Sequence, residues 1–354
     1  MTVFQRRDGR WQATVSISGR RKTFYGRTEV QARRKAEEFL RRLGTRPVPD
    51  PGRRTVRDVL EAFLRSADLR PRTRADYEDT ARRYLGPLVR TRLVHVEPLA
   101  VVGVLEGLPP RTALKVYRLL HRVMRYAVQL GYLASNPLDR IPPPRYRPPR
   151  KQPWSPDEAS QFLQAARSHP LGPLFWLLAT TGLRTSEALA LRWSDLDLAS
   201  GVLRVERSVH RVRGQWVYTP PKTQAGQRSV ALPQQVVAAL RALRRAAVEE
   251  ALRRGAGFSD EALVFSEDGQ PLHHRRVLRA MQTVARRAGV RPSSPHQLRH
   301  LHASALLSQG AGLAEVARRL GHASPAVTAA VYSHALRDDR ELAERSAKAL
   351  GLWE

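Results

Sequence analysis

His296 and Arg299 stand three residues apart at the start of a helical pattern, which puts both side chains on one side of the same turn. One can move a proton while the other holds an anion. His322 follows, and Tyr332 lies beyond a helix start at Ser324 and Pro325, where serine caps and proline suits the first helical position. That spacing brings a phenol toward the same pocket. Upstream, in TGLRTSEALALRWSDLD, Gly182 breaks an apolar helix, Arg184 follows in the turn, and Glu187 is placed to pair with its guanidinium. Leu189 and Leu191 read as inward-facing. Taken singly, each residue has an ordinary explanation: a surface salt bridge for Arg184 and Glu187, a half-buried packing residue for Tyr332. Taken together, two arginines delivered by separate helices form a fork for the non-bridging oxygens of a phosphodiester, which planar guanidinium suits better than lysine.

The ordered set Arg184, Lys222, His296, Arg299, His322 and Tyr332 resembles the tyrosine recombinases, the phage and transposon integrases in particular. TGLRTSEALALRW is similar to the family's first arginine box, and HQLRH with LGH and VYSH to the second box and its nucleophile. The likeness covers residues 151 to 340. It implies that Tyr332 attacks the scissile phosphorus to give a 3′-phosphotyrosyl bond, which stores the energy for rejoining. It also implies that Lys222, carried on a hairpin, protonates the departing 5′ oxygen, although a lone lysine there would otherwise read as solvated. A phenol with a pKa near ~10 needs a base or a strong positive field, and His296 is the candidate base. His322 is expected to donate a hydrogen bond to the phosphate and Glu187 to support Arg184.

The rest of the composition agrees with such chemistry. The 354 residues carry 61 Lys and Arg against 32 Asp and Glu, a net charge of +29 spread along the chain, so a polyanion is the expected partner. There is no cysteine, which excludes disulfides, thiolate metal sites and a cysteine nucleophile. GxxxxGK[ST] is missing and nothing resembles a carboxylate cage for magnesium, so no cofactor and no metal are expected, and phosphoryl transfer would draw its charge stabilisation from side chains. His296 and His300, four apart, could chelate zinc, but packing or hydrogen bonding by a buried His300 is the expected role. No signal peptide or long apolar span is visible, and the expected location is the cytoplasm, away from membranes.

The elements that must position these groups read as a mixed, mainly α fold in three domains. Residues 1–45 form a small three-stranded sheet with strands at Phe4–Arg7, Trp11–Ile17 and Lys22–Tyr25, hairpin turns at Asp8-Gly9 and Ser18-Gly19, and a helix from Thr28 to about Leu43. Arg20, Arg21 and Lys22 beside Trp11, Phe24 and Tyr25 favour DNA reading, and the module resembles the arm-binding domain of many integrases. A Pro- and Gly-rich linker, Gly44 to Arg54, leads to a helical domain over 55–140. Its long helix, Leu114 to Leu130, carries Lys115, Arg118, Arg122 and Arg125 with no acidic residue on the same helix to balance them, which favours contact with the DNA backbone. This part resembles the family's core-binding bundle. The proline-rich strap Ile141–Pro153 then joins a mostly helical catalytic domain, 151–354, with a small antiparallel sheet and helices over 156–167, 171–180, 185–192, 233–254 and 272–288. The strands are expected at Val202–Val209, Trp216–Thr219 and Arg228–Leu232.

The partners implied by the resemblance are double-stranded DNA at core and arm sites, a homo-tetramer on that DNA to which the apolar residues of the tail from Asp338 contribute, and DNA-bending or directionality proteins. Two other readings share part of the pattern. A type IB topoisomerase has the tyrosine and arginine logic but no use for the front module, and a non-catalytic regulator would bind DNA without a covalent adduct.

Overall fold

The computed structural model describes residues 1–6, 8–17, 20–42, 53–148, 153–221 and 224–332, the side chains at positions 16, 17, 20, 21, 40–42, 87, 224 and 330–332 excepted. Lys222, most of the 44–54 linker, the Ser18-Gly19 turn and the tail after Tyr332 therefore lie outside the described residues. The chain divides into two compact units, Met1–Pro148 and Pro149–Glu354.

The first unit holds two separate hydrophobic clusters. Strands β1 (Thr2–Gln5), β2 (Trp11–Ile17) and β3 (Arg20–Gly26) form an antiparallel sheet in that order, covered by α1 (Glu29–Arg42). β1 ends before the expected Arg7 because Arg6 turns the chain: its N–H donates to the Arg10 carbonyl at 2.8 Å, and Gly9 takes a positive φ of 78°. Ala13, Val15, Ala32 and Ala36 are buried between sheet and helix. The second cluster is a helical bundle of α2 (Val56–Ser66), α3 (Pro71–Tyr84), α4 (Pro98–Glu106) and α5 (Pro110–Gln129). α5 buries Val116, Leu119, Leu120, Val123, Met124 and Ala127, the stripe that a helical period places on one face, against α2 and α3. Each of the Val, Leu and Met side chains among them contributes ~1.5–3 kcal/mol. The opposite face carries the basic residues. α5 begins at Pro110, four residues before the expected start, since proline is pre-set for the first helical turn.

In the second unit α6 (Pro156–Ala165) opens with a capping box in the run SPDE: Glu158 N–H donates to Ser155 Oγ at 3.1 Å and Ser155 N–H to Glu158 Oε2 at 2.8 Å. α7 (Gly172–Thr181) is almost wholly buried, and a short α8 (Thr185–Ala188) follows. The expected helix to 192 stops early because the chain leaves it to pair with a later segment, Val264 N–H donating to the Leu191 carbonyl at 2.9 Å. Leu189 and Leu191 face inward as expected.

Strands β4 (Leu196–Asp197), β5 (Val202–Val205), β6 (Ser208–Val212), β7 (Gln215–Thr219) and β8 (Arg228–Ala231) make two small antiparallel sheets, ordered β4-β5-β8 and β6-β7. The single strand expected over 202–209 is thus broken. At the break Arg207 turns to Asp195, Nη1 to Oδ2 at 2.6 Å. α9 (Gln234–Arg253), the two-residue strands β9 (Ser266–Glu267) and β10 (Gln270–Pro271), α10 (His274–Arg287), α11 (His296–Ser308), α12 (Leu313–Leu320) and α13 (Pro325–Tyr332) complete the unit. Its core gathers Phe162, Phe175, Leu174, Leu177, Leu298 and Met281 with both sheets.

Candidate active site

Arg184 sits where it does because α7 cannot continue. Its last residue is followed by Gly182 at φ 66°, in the left-handed region that favours glycine, and a Cβ there would lie 2.6 Å from Leu320 Cδ2 and 2.7 Å from His302 Cδ2. Two residues on, Arg184 precedes α8. Its backbone N–H donates to Glu187 Oε2 at 3.0 Å and its Nη1 to Glu187 Oε1 at 2.7 Å, the pairing anticipated from their spacing. Glu187 is 3% exposed, and its Oε2 also accepts from Arg228 Nη2 at 3.1 Å. Burial alone would raise the pKa of this carboxyl, but Arg228 and Arg184 outweigh it and hold the group below the usual carboxylate range.

Arg299, on the first turn of α11, is 2% exposed. Its Nη1 donates to the Gly182 carbonyl at 2.6 Å and its Nη2 to the Leu320 carbonyl at 2.8 Å, so the guanidinium bridges the C-terminal ends of α7 and α12. The last carbonyls of a helix lack intrahelical partners and carry its negative dipole end. At α12 three in succession face a different arginine each. Arg319 O accepts from Arg228 Nε at 2.7 Å, Leu320 O from Arg299, and Gly321 O makes a longer 3.5 Å contact with Arg184 Nη2. Consecutive residues are only ~3.8 Å apart at Cα, so the three guanidinium groups converge. Gly321 (φ 68°) closes the helix, and a Cβ on it would fall 2.8 Å from Arg228 Nη1.

His322 is the next residue. Its Nδ1 is 2.8 Å from the Thr328 hydroxyl of α13. Burial first, then the charges of Arg299, Arg184 and Arg228 and the neighbouring His296, lower its pKa to about 4, so the ring is neutral at pH 7. His296 is exposed at the start of α11, its ring 4.5 Å from that of His300 in an edge-on arrangement. Arg184, Glu187, Arg299, His322 and His296 are therefore brought together. Tyr332 ends α13, the helix that Thr328 ties to His322, and its side chain lies outside the described residues, as does Lys222, between β7 and β8.

Three residues of this site went unread in the sequence. Arg228 and Arg319 are two arginines among very many, with no spacing that distinguishes them. The third is His302. The buried histidine of α11 is this one, 7% exposed, and not His300, which is half-buried: α11 turns position 302, with Arg299 and Ala303, toward the interior. His302 Nε2 accepts from Arg319 Nε at 3.0 Å, and burial followed by the Arg319 charge lowers its pKa to about 4. Arg319 Nη2 also donates to the carbonyls of Thr180 and Ala231, at 3.1 and 3.3 Å.

Of the basic residues in the first unit, Arg118 and Arg125 are exposed on α5. Lys115 is paired at 2.5 Å with Asp76 of α3, so acidic charge absent from its own helix is supplied by a neighbouring one. Arg122 Nη1 donates to the Tyr77 hydroxyl at 2.7 Å. Lys22 stacks its ammonium 4.2 Å over the Phe39 ring. The side chains of Arg20 and Arg21 lie outside the described residues.

A mainly helical unit whose helix ends gather arginines around a histidine defines a class that comparison makes explicit. Residues 154–338 match the phage integrase family. The chain is 30% identical to a putative prophage phiRv2 integrase of Mycobacterium tuberculosis over 96% of its own length and 93% of the relative's. It is 28% identical to a XerC-like tyrosine recombinase of Caldanaerobacter subterraneus subsp. tengcongensis, over 89% and 88%. In fold it is similar to the Tn1549 transposon integrase solved with transposon right end DNA, with a TM-score of 0.67 over 84% of this chain and 100% of that one at 20% identity. It is also similar to lambda integrase solved as a tetramer on a Holliday junction, with a TM-score of 0.59 over 95% of this chain and 96% of that one. The chain belongs to the phage integrase family of tyrosine recombinases, enzymes that cleave and rejoin DNA.

Proposed function

We propose that this recombinase integrates or excises a mobile element by the following division of labour. Arg184 and Arg299 hold the scissile phosphate, and their charge is matched to the charge that develops on its equatorial oxygens. The Tyr332 oxygen attacks phosphorus, giving up its proton to His296, and the phosphorus–O5′ bond breaks as Lys222 supplies a proton to the leaving oxygen. With Thr328 donating to its Nδ1, neutral His322 keeps a proton on Nε2 to donate to the phosphate. Rejoining reverses each transfer, a 5′ hydroxyl from another duplex taking the place of the one that left.

The observation that carries this reading is the set of three arginines on successive α12 carbonyls around His322, an electropositive centre beside the helix that ends in Tyr332. Residues 1–45 would read arm sites through Arg20, Arg21 and Lys22, and 55–140 the core site through α5. The 151–354 domain would work as a tetramer on two duplexes, with DNA-bending or directionality proteins able to join it. Among the described residues no helix is long and apolar enough to cross a membrane, and the proposed location is the cytoplasm.

The test is a duplex built from the DNA flanking the gene and nicked beside the cleavage point, so that the cut strand diffuses away. Wild type should accumulate a denaturant-resistant adduct and Tyr332→Phe none. The same adduct from both would remove Tyr332 as nucleophile, and none from either would remove the recombinase reading of this site.

A further inference from the structure

Arg184 faces a conflict. Its guanidinium serves a phosphate only if its charge is available, yet it shares a 2.7 Å ion pair with Glu187, whose carboxylate is almost fully buried. A buried carboxylate next to one arginine would form a nearly neutral unit and spend that charge internally. Arg228 changes the balance. Its side chain is only 6% exposed, and it comes from β8, a different element from Arg184. Its Nη2 reaches the second oxygen of the same carboxylate at 3.1 Å, its Nε the Arg319 carbonyl at 2.7 Å, and its Nη1 the Gly226 carbonyl at 3.1 Å. Buried in this way, it makes its contacts with the site through Glu187 and the end of α12.

We infer that Arg228 is a positioning residue of the recombination reaction, cancelling the charge of Glu187 so that Arg184 keeps its own for the scissile phosphate. The two arginines and one carboxylate sum to a single positive charge. Without Arg228 the sum is zero, although every group that touches DNA remains. The bonds of Arg228 to Arg319 O and Gly226 O also tie β8 and the segment after Lys222 to the end of α12, so the strand that follows the lysine and the helix that precedes the nucleophile share one fastening.

This inference rests on the proposed roles of Arg184 and Tyr332, and single-turnover adduct formation on the nicked duplex separates the two. Arg228→Met should slow the adduct ~100-fold, the scale of one lost charge-stabilising group, while the Kd for the same DNA changes less than about threefold. Arg228→Lys, which keeps the charge and loses the fork, should lie between it and wild type. The decisive comparison is Glu187→Gln/Arg228→Met. Removing the carboxylate as well restores the single positive charge, so the double variant should regain at least ~10-fold over Arg228→Met and run within about threefold of Glu187→Gln alone. A purely structural arginine predicts no such recovery. Should Arg228→Met not fold, the double variant against Glu187→Gln carries the same test, and a further ~10-fold loss there overturns the inference. So does a wild-type rate in Arg228→Met. An absence of adduct from wild type would instead count against the recombinase reading.

Discussion

At the scale of single residues, a buried and a half-buried histidine, His302 and His322, contribute to the pH response of the second unit. His302 and His322 both have folded pKa values lowered to about 4 from an unfolded value of 6.5. The unfolded chain therefore binds more protons than the native one between those limits, and stability is full above pH 6.5 and falls as the pH drops toward 4. For His302, whose burial leaves little screening, the loss between pH 6.5 and 5 is about 2 kcal/mol. His302→Gln keeps an acceptor for Arg319 but does not titrate, so its Tm should fall less between pH 7 and 5 than that of wild type. A parallel pair of melting curves would reject the idea. Lys222 admits a chemical test. Lys222→Ala should slow cleavage of ordinary DNA far more than that of DNA with sulfur at the leaving position, which needs little protonation, and equal slowing would remove lysine as the acid.

At the scale of elements, the two left-handed glycines matter more than the helices they end. Gly321→Ala adds a Cβ against Arg228 at a positive φ, and should cost ~1–2 kcal/mol and slow adduct formation together. Ser155→Ala removes only a cap and should cost ~1 kcal/mol with cleavage unchanged at permissive temperature. Thermal melts beside adduct assays distinguish the two outcomes. What could be read from the sequence follows the same division. Caps, helix-breaking glycines and periodic apolar stripes are local signals, and the Ser155 cap, the break at Gly182 and the apolar face of α5, though not its first turn, are where they imply. The break between β5 and β6 and the early end of α8 are set by partners far along the chain, Arg207 with Asp195 and Leu191 with Val264. The Arg184–Glu187 pair was legible because its members are one turn apart. Arg228 and Arg319 were not, since what singles them out lies far along the chain, the end of α12 for the one and the carbonyls of Thr180 and Ala231 for the other, which no spacing encodes.

At the scale of the whole molecule, a net charge of +29 makes DNA affinity a function of salt. Binding should weaken by ~10³-fold or more between 50 and 200 mM salt if at least six phosphates are contacted. Arg118→Ala and Arg125→Ala should each flatten the slope of log K against log salt by about 0.9. Lys115→Ala should flatten it less, because Asp76 already neutralises that ammonium. Equal effects from all three would place Lys115 on the DNA with its salt bridge opened. The apolar face of α5 does not enter this balance, since it is consumed by the bundle.

The grip of three arginines on one helix terminus bears on how the enzyme should be disarmed. A chain cut before α12 would lose more than its nucleophile: three cations held by backbone oxygens would be left repelling one another, and the second unit should melt early or fail to fold. Anyone seeking a version that marks its target without cutting it should therefore delete one oxygen, at Tyr332, and leave the remainder of the chain whole.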